Sequence, residues 1–141
     1  MKPLYTAKAT TIGGRAGHVK SSDGVLDFDL RPPKEMGGPE KGGYTNPEQL
    51  FAAGYSACFR GALGKISLEQ GIRSKASITA EVTINATDDG GFQLSVVMDV
   101  DMPEVEQAKA EELAGKAHRY CPYSKAIKGN VDVKLNVTGK K

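Results

Sequence analysis

The chain has 141 residues, a formal net charge of +2 and two cysteines, a size that fits one domain over residues 1–141 and a core that needs no disulfide. The mild charge, spread along the chain, excludes an electrostatic nucleic-acid partner. No apolar run reaches the ~18 residues of a membrane span, because Arg60 and Lys65 interrupt the one candidate, and Met1, Lys2 and Pro3 lead into an alternating segment with no leader pattern.

These features predict a cytoplasmic protein. In such a reducing compartment the two thiols read as reactive, metal-binding or simply buried, not as a static staple.

Residues 4–12 alternate as a strand and end at Gly13 and Gly14. Residues 18–21 form a short second strand, Ser22, Asp23 and Gly24 a hairpin turn, and residues 25–30 a third strand. Residues 31–44 follow as a loop with three prolines and four glycines, and so long a loop inside a domain is usually functional.

Residues 47–70 then read as one helix, roughly 36 Å long. Asn46 before Pro47 marks its start. Thr45 three residues ahead of Glu48 has capping-box spacing. The stretch is apolar nearly all round and rich in small residues, which predicts a buried helix approached closely by other backbone.

After a stop at Gly71, residues 77–86 and 92–102 form a hairpin about Asp88, Asp89, Gly90 and Gly91. A second helix is expected from Pro103 and Glu104 to about His118, facing the core with Val105, Ala108, Leu113 and Ala117. A turn or short helix at Cys121 to Ser124 and a last strand over residues 131–137 complete the chain. Runs of antiparallel strands with helices on one side predict an α+β architecture. One sheet cannot cover a helix apolar on so many sides, and a second copy of the chain is the simple cover.

Cys58 admits two readings: a small buried hydrophobe, or a reactive thiol. Cys121 follows a helix and precedes Pro122, where a new helical turn would favour its thiolate. Arg15 in its Gly-Gly-Arg-Ala-Gly turn is either solvated or a cation presented to a thiolate. Cys58 lies mid-helix and needs such a cation if it is reactive. Glu48 is either a cap partner or a bidentate anchor for Arg15. Ten residues separate Glu48 from Cys58, about 15 Å along the axis of one straight helix, so Arg15 reaches both closely only if the helix bends or starts late, or if one of the residues comes from a partner chain. His18, His118 and the cysteines lack zinc-ligand spacing, and zinc stays a formal alternative.

TNPEQLFAAGYSACF (residues 45–59) and CPYSKAIKGNVDV (residues 121–133) resemble the organic hydroperoxide resistance proteins of the OsmC superfamily. LYTAKAT, GGRAGHVKSSDGVLD and DGGF extend the likeness over nearly the whole chain and favour the hydroperoxide branch. The resemblance implies antiparallel sheets packed around a long central helix in an intertwined homodimer. It implies a thiol peroxidase acting on organic and fatty-acid hydroperoxides, with dihydrolipoamide on a lipoylated protein as reductant and no bound cofactor. Cys58 would be the peroxidatic cysteine and Cys121 the resolving one, with Arg15 stabilising the thiolate and Glu48 holding Arg15. Phe51, Tyr55, Phe59, Met36, Tyr44 and Tyr123 are the expected apolar lining of the substrate pocket. Tyr120 and Lys128 depart from the family pattern, which has a small aliphatic residue and an arginine there. An OsmC-type peroxidase of broader range and a noncatalytic redox-sensing or hydrophobic-ligand-binding protein are the alternatives.

Overall fold

The computed structural model describes residues 1–141, which form two units, residues 1–50 and 51–141. In the first, β1 (Ala9–Ile12) pairs antiparallel with β2 (His18–Ser21), which pairs with β3 (Asp27–Asp29). The first strand is shorter than the alternation of residues 4–12 suggests. Its partner β2 ends at Ser21, where Ser21 Oγ and the Val25 N–H both donate to Asp23 and close the turn (2.6 and 3.1 Å). Leu4 and Tyr5 are consequently left exposed. The third strand also shortens, because Leu30 leaves it to form a parallel bridge with Thr45. The loop over residues 31–44 contains one 3-10 turn, Lys34–Met36.

The start of α1 (Pro47–Glu69) is capped one residue later than the Thr45–Glu48 spacing implied. Asn46 Oδ1 accepts from the Gln49 N–H at 2.8 Å, and Thr45 Oγ1 donates to Gln49 Oε1 at 2.8 Å. Glu48 takes no part in this cap. Asn46→Ala is therefore expected to cost about 1 kcal/mol, read as a lower denaturant midpoint at unchanged slope.

In the second unit α1 buries Tyr55, Phe59, Ala62, Leu63 and Ser67, one stripe at helical spacing. Ala53, Ala57 and Gly61 are exposed, so the helix is one-faced within a single chain and not buried all round. β4 (Ser77–Ala86) and β5 (Phe92–Glu106) form the expected hairpin, with Val96, Met98, Val100 and Met102 in the core.

Three details differ from the sequence expectation. The strand β5 runs through Pro103 to Glu106, and α2 (Gln107–Tyr120) begins only at Gln107. A register shift between Asp101 and Glu106 accommodates the proline, since a bulge needs no ladder donor there. Val105 is thus a buried strand residue, Ala108 is exposed, and the buried face of α2 is Ala110, Leu113, Ala114 and Ala117. Finally, after α3 (Pro122–Ile127), β6 (Val133–Lys140) runs parallel to β5. The α2–α3 crossover returns the chain in the same direction, as a helical connection does. Gln107 locks this corner, donating to the Val137 carbonyl at 2.9 Å and accepting from the Gly139 N–H at 2.6 Å. No helix is long and apolar enough to cross a membrane.

Candidate functional site

The two cysteines, 63 positions apart in sequence, meet in the second unit: the Cys121 thiol lies 3.6 Å from Cys58 Sγ, and both are free. Cys121 occupies the N-cap position of α3, with Pro122 next to it in the first turn. Its N–H donates to the Ala117 carbonyl at 2.8 Å and its carbonyl accepts from the Lys125 N–H at 3.0 Å, so the sulfur sits on a rigid corner between two helices. Cys121 is fully buried, while Cys58 is only half-buried.

Burial pushes the Cys58 thiol up, and the neighbouring Cys121 pushes the same way, against a lowering hydrogen bond from the Tyr123 backbone. Cys58 is more than two turns from the start of α1, so the helix end offers it nothing.

Phe51, Tyr55 and Tyr123 cluster around this corner, with ring centroids 6.0 to 6.5 Å apart. Gly54 makes room for them: a Cβ there would sit 3.0 Å from the Tyr123 hydroxyl. Of the expected pocket residues, Tyr55 and Phe59 have no exposed surface and pack in the core. Met36 and Tyr44 belong to the other unit, where Tyr44 lies under the Arg31 guanidinium at 5.1 Å. Tyr120 is flanked by the ammonium groups of Lys65 and Lys125, at 5.0 and 5.8 Å. Lys128 lines a cavity of about 750 Å³ with His118, Arg119, Lys125 and Asp132.

The first unit holds the charged pair. Arg15 sits in a 3-10 turn, Gly14–Ala16, framed by left-handed Gly13 (φ 80°). Gly17 closes the turn, since a Cβ there would fall 1.7 Å from the Ile12 carbonyl oxygen. Arg15 donates to both Glu48 oxygens, at 2.8 and 3.0 Å. This fork-on-carboxylate geometry fixes the plane of the guanidinium. It raises Arg15 and holds the Glu48 carboxyl below the usual carboxylate range. The Glu48 side chain is 13% exposed and that of Arg15 42%, so the anchor is covered while the cation keeps an open edge.

Both histidines are engaged by their own surroundings. His18 bridges Asp29 (2.7 Å) and Asp27, which raise its pKa. His118 Nδ1 lies 2.9 Å from Ser124 Oγ, which in turn lies 2.6 Å from the Tyr55 hydroxyl. Sequence reasoning missed this last chain. Its signal was the symmetric spacing of His118 and Ser124, three residues on either side of Cys121.

A family described as OsmC-like protein matches residues 38–136. The organic hydroperoxide resistance protein OhrB of Bacillus subtilis is 50% identical over 95% of this chain and 98% of its own. That of Xanthomonas axonopodis pv. citri is 45% identical over 96% of each chain. The crystal structure of an organic hydroperoxide resistance protein OsmC from Legionella pneumophila superposes with a TM-score of 0.90 at 51% identity, over 97% of this chain and 99% of that one. The chain therefore belongs to the OsmC-like family, among its organic hydroperoxide resistance proteins.

Proposed function

We propose that the chain is a cytoplasmic thiol peroxidase that reduces organic and fatty-acid hydroperoxides to alcohols. The observation that carries this reading is the 3.6 Å approach of the two free thiols, one half-buried and one fully buried. The Cys58 thiolate attacks the peroxide oxygen, the O–O bond breaks, and the alkoxide takes a proton to leave as the alcohol. Cys58 is then a sulfenic acid. Cys121, losing its proton, attacks Cys58 Sγ; the S–S bond forms, the S–O bond breaks and water departs. A dithiol, dihydrolipoamide on a lipoylated protein in this reading, reduces the disulfide and returns both thiols. Arg15, oriented by Glu48, favours the thiolate and polarises the peroxide. The rings of Phe51 and Tyr123 support an apolar peroxide, as do the relatives' names.

The working form in this reading is a homodimer. The exposed small-residue stripe of α1 and the unpaired apolar residues 4 and 5 support it, since apolar surface left open by one chain calls for a partner.

The test is turnover of cumene hydroperoxide or a fatty-acid hydroperoxide against hydrogen peroxide, with dihydrolipoamide as reductant. Organic substrates are expected to turn over markedly faster. Equal rates on both would favour an OsmC-type peroxidase of broader range. Turnover on neither would end the enzymatic reading and leave a redox-sensing or ligand-binding protein.

A further inference from the structure

The segment that carries Cys121 is held in an unusual way. The helix α3 has six residues, and Ser124 is its one buried residue. So short a helix does not hold itself, and its buried anchor is a hydroxyl. That hydroxyl bonds Tyr55 on one side and His118 on the other, at 2.6 and 2.9 Å. Tyr55 comes from α1, three residues ahead of Cys58, and so lies on the same side of that helix. His118 comes from α2, three residues ahead of Cys121, and Ser124 lies three residues after it. The chain therefore ties both flanks of Cys121 to each other and to the helix bearing Cys58.

We propose that the His118–Ser124–Tyr55 chain is a positioning device that holds Cys121 against Cys58 and so decides whether a Cys58 sulfenic acid closes to the disulfide or is overoxidised. The proposal rests on the peroxidase reading and deepens it. A disulfide needs the sulfurs at about 2.05 Å, against 3.6 Å between the thiols, so closure is a short movement only while α3 stays seated. If α3 lifts, a second hydroperoxide reaches the waiting sulfenic acid first. It transfers one oxygen to Cys58 Sγ, giving the sulfinic acid and one more molecule of alcohol.

The polarity of the chain follows from His118. In the neutral tautomer with its proton on Nε2, His118 accepts at Nδ1, and then Ser124 donates to it and Tyr55 donates to Ser124. Burial, and secondarily Arg119, holds His118 below the usual histidine range and keeps that acceptor available at neutral pH. The charged groups that line the same cavity are Arg119 from α2, Lys125 from α3, Lys128 beyond α3 and Asp132 ahead of β6, and the hydroxyl bonded to His118 is that of Ser124. Of these charges Arg119 is the one that, after burial, opposes an imidazolium. A proton on Nδ1 would reverse the chain and leave the buried Tyr55 proton without its acceptor. Disulfide closure is therefore expected to slow as pH falls through the depressed His118 value.

The experiment treats the full chain with cumene hydroperoxide, quenches at short times, and counts sulfenic, disulfide and sulfinic forms of Cys58 by mass. Ser124→Ala is expected to consume the first equivalent at the wild-type rate but to close the disulfide at least roughly tenfold more slowly, because both hydrogen bonds of the chain are lost. Sulfinic acid should accumulate in proportion to added hydroperoxide. Tyr55→Phe, which removes a single oxygen, should shift the same partition and covers the case in which Ser124→Ala fails to fold. Ser124→Thr keeps the hydroxyl and should restore closure. His118→Asn, whose side-chain oxygen accepts but does not titrate, should close normally at neutral pH and slow less than wild type in acid. Wild-type partition in both Ser124→Ala and Tyr55→Phe would overturn the proposal. A wild-type chain that forms neither sulfenic acid nor disulfide would instead remove the peroxidase reading beneath it.

Discussion

Cys58→Ser is expected to reduce hydroperoxide consumption to background, whereas Cys121→Ser should consume one equivalent and stop with a sulfenic acid on Cys58. The asymmetry comes from burial. Cys121 has no exposed surface, and Cys58 retains some, so a hydroperoxide arriving from solvent meets Cys58 first. A serine hydroxyl is a far weaker nucleophile than a thiolate at neutral pH, which leaves Cys58→Ser without its first step. In Cys121→Ser the first step is intact, and no second thiol lies 3.6 Å away to expel water. The trapped species should react with a sulfenic-acid probe and pass to the sulfinic acid under excess hydroperoxide. Mass analysis after one equivalent of cumene hydroperoxide reads all of these. A sulfenic acid on Cys121 in the Cys58→Ser variant, with none on Cys58 in Cys121→Ser, would exchange the two roles.

Much of this was legible in the residues because it is written locally. Asn46 before Pro47 and Gly71 after the helix bracket α1 within a residue, since caps act through neighbouring backbone groups. The turn about Asp89 and Gly90 places the β4–β5 hairpin in its register for the same reason. The Arg15–Glu48 pair was anticipated, although Glu48 also carried a plausible capping role that Asn46 and Gln49 perform instead. What stayed hidden depends on chain returning from a distance. Pro103 looks like a helix start, yet pairing with β6 resumes beyond it at Glu106 and Lys140, which keeps it in β5. Nothing local states that β6 is parallel, because that follows from the α2–α3 crossover. The approach of Cys58 to Cys121 needed the family resemblance, since spacing alone pairs no two cysteines. Ser124 was overlooked because a lone serine in a helix is ordinarily a surface residue. Its two buried partners, Tyr55 and His118, come from other helices.

Arg15→Ala is expected to raise the Cys58 pKa and to slow hydroperoxide reduction at neutral pH by about 10²–10³, the usual loss on removing one preorganised charge-stabilising group. Among residues 51–141 burial and Cys121 press the Cys58 thiol upward and only a backbone N–H opposes them, so a reactive thiolate there would need a cation, the role proposed for Arg15. With that cation gone, the thiolate fraction at a given pH falls, and the rate-versus-pH curve should move to higher pH. Glu48→Gln should give a smaller loss, roughly tenfold, because an amide still accepts one of the two guanidinium bonds but no longer opposes the charge. An unchanged ultraviolet thiolate titration in Arg15→Ala would remove Arg15 from the site.

The same variants decide which chain supplies the cation. Arg15 is clamped to Glu48. In the homodimer proposed above, that guanidinium would serve the cysteine of a second copy of the chain. Mixing Arg15→Ala protomers with Cys58→Ser protomers, each nearly inactive alone, should then restore activity, because each mixed dimer rebuilds one complete site. If Arg15 instead served its own chain, every site in the mixture would lack either the cation or the thiol, and no activity would return.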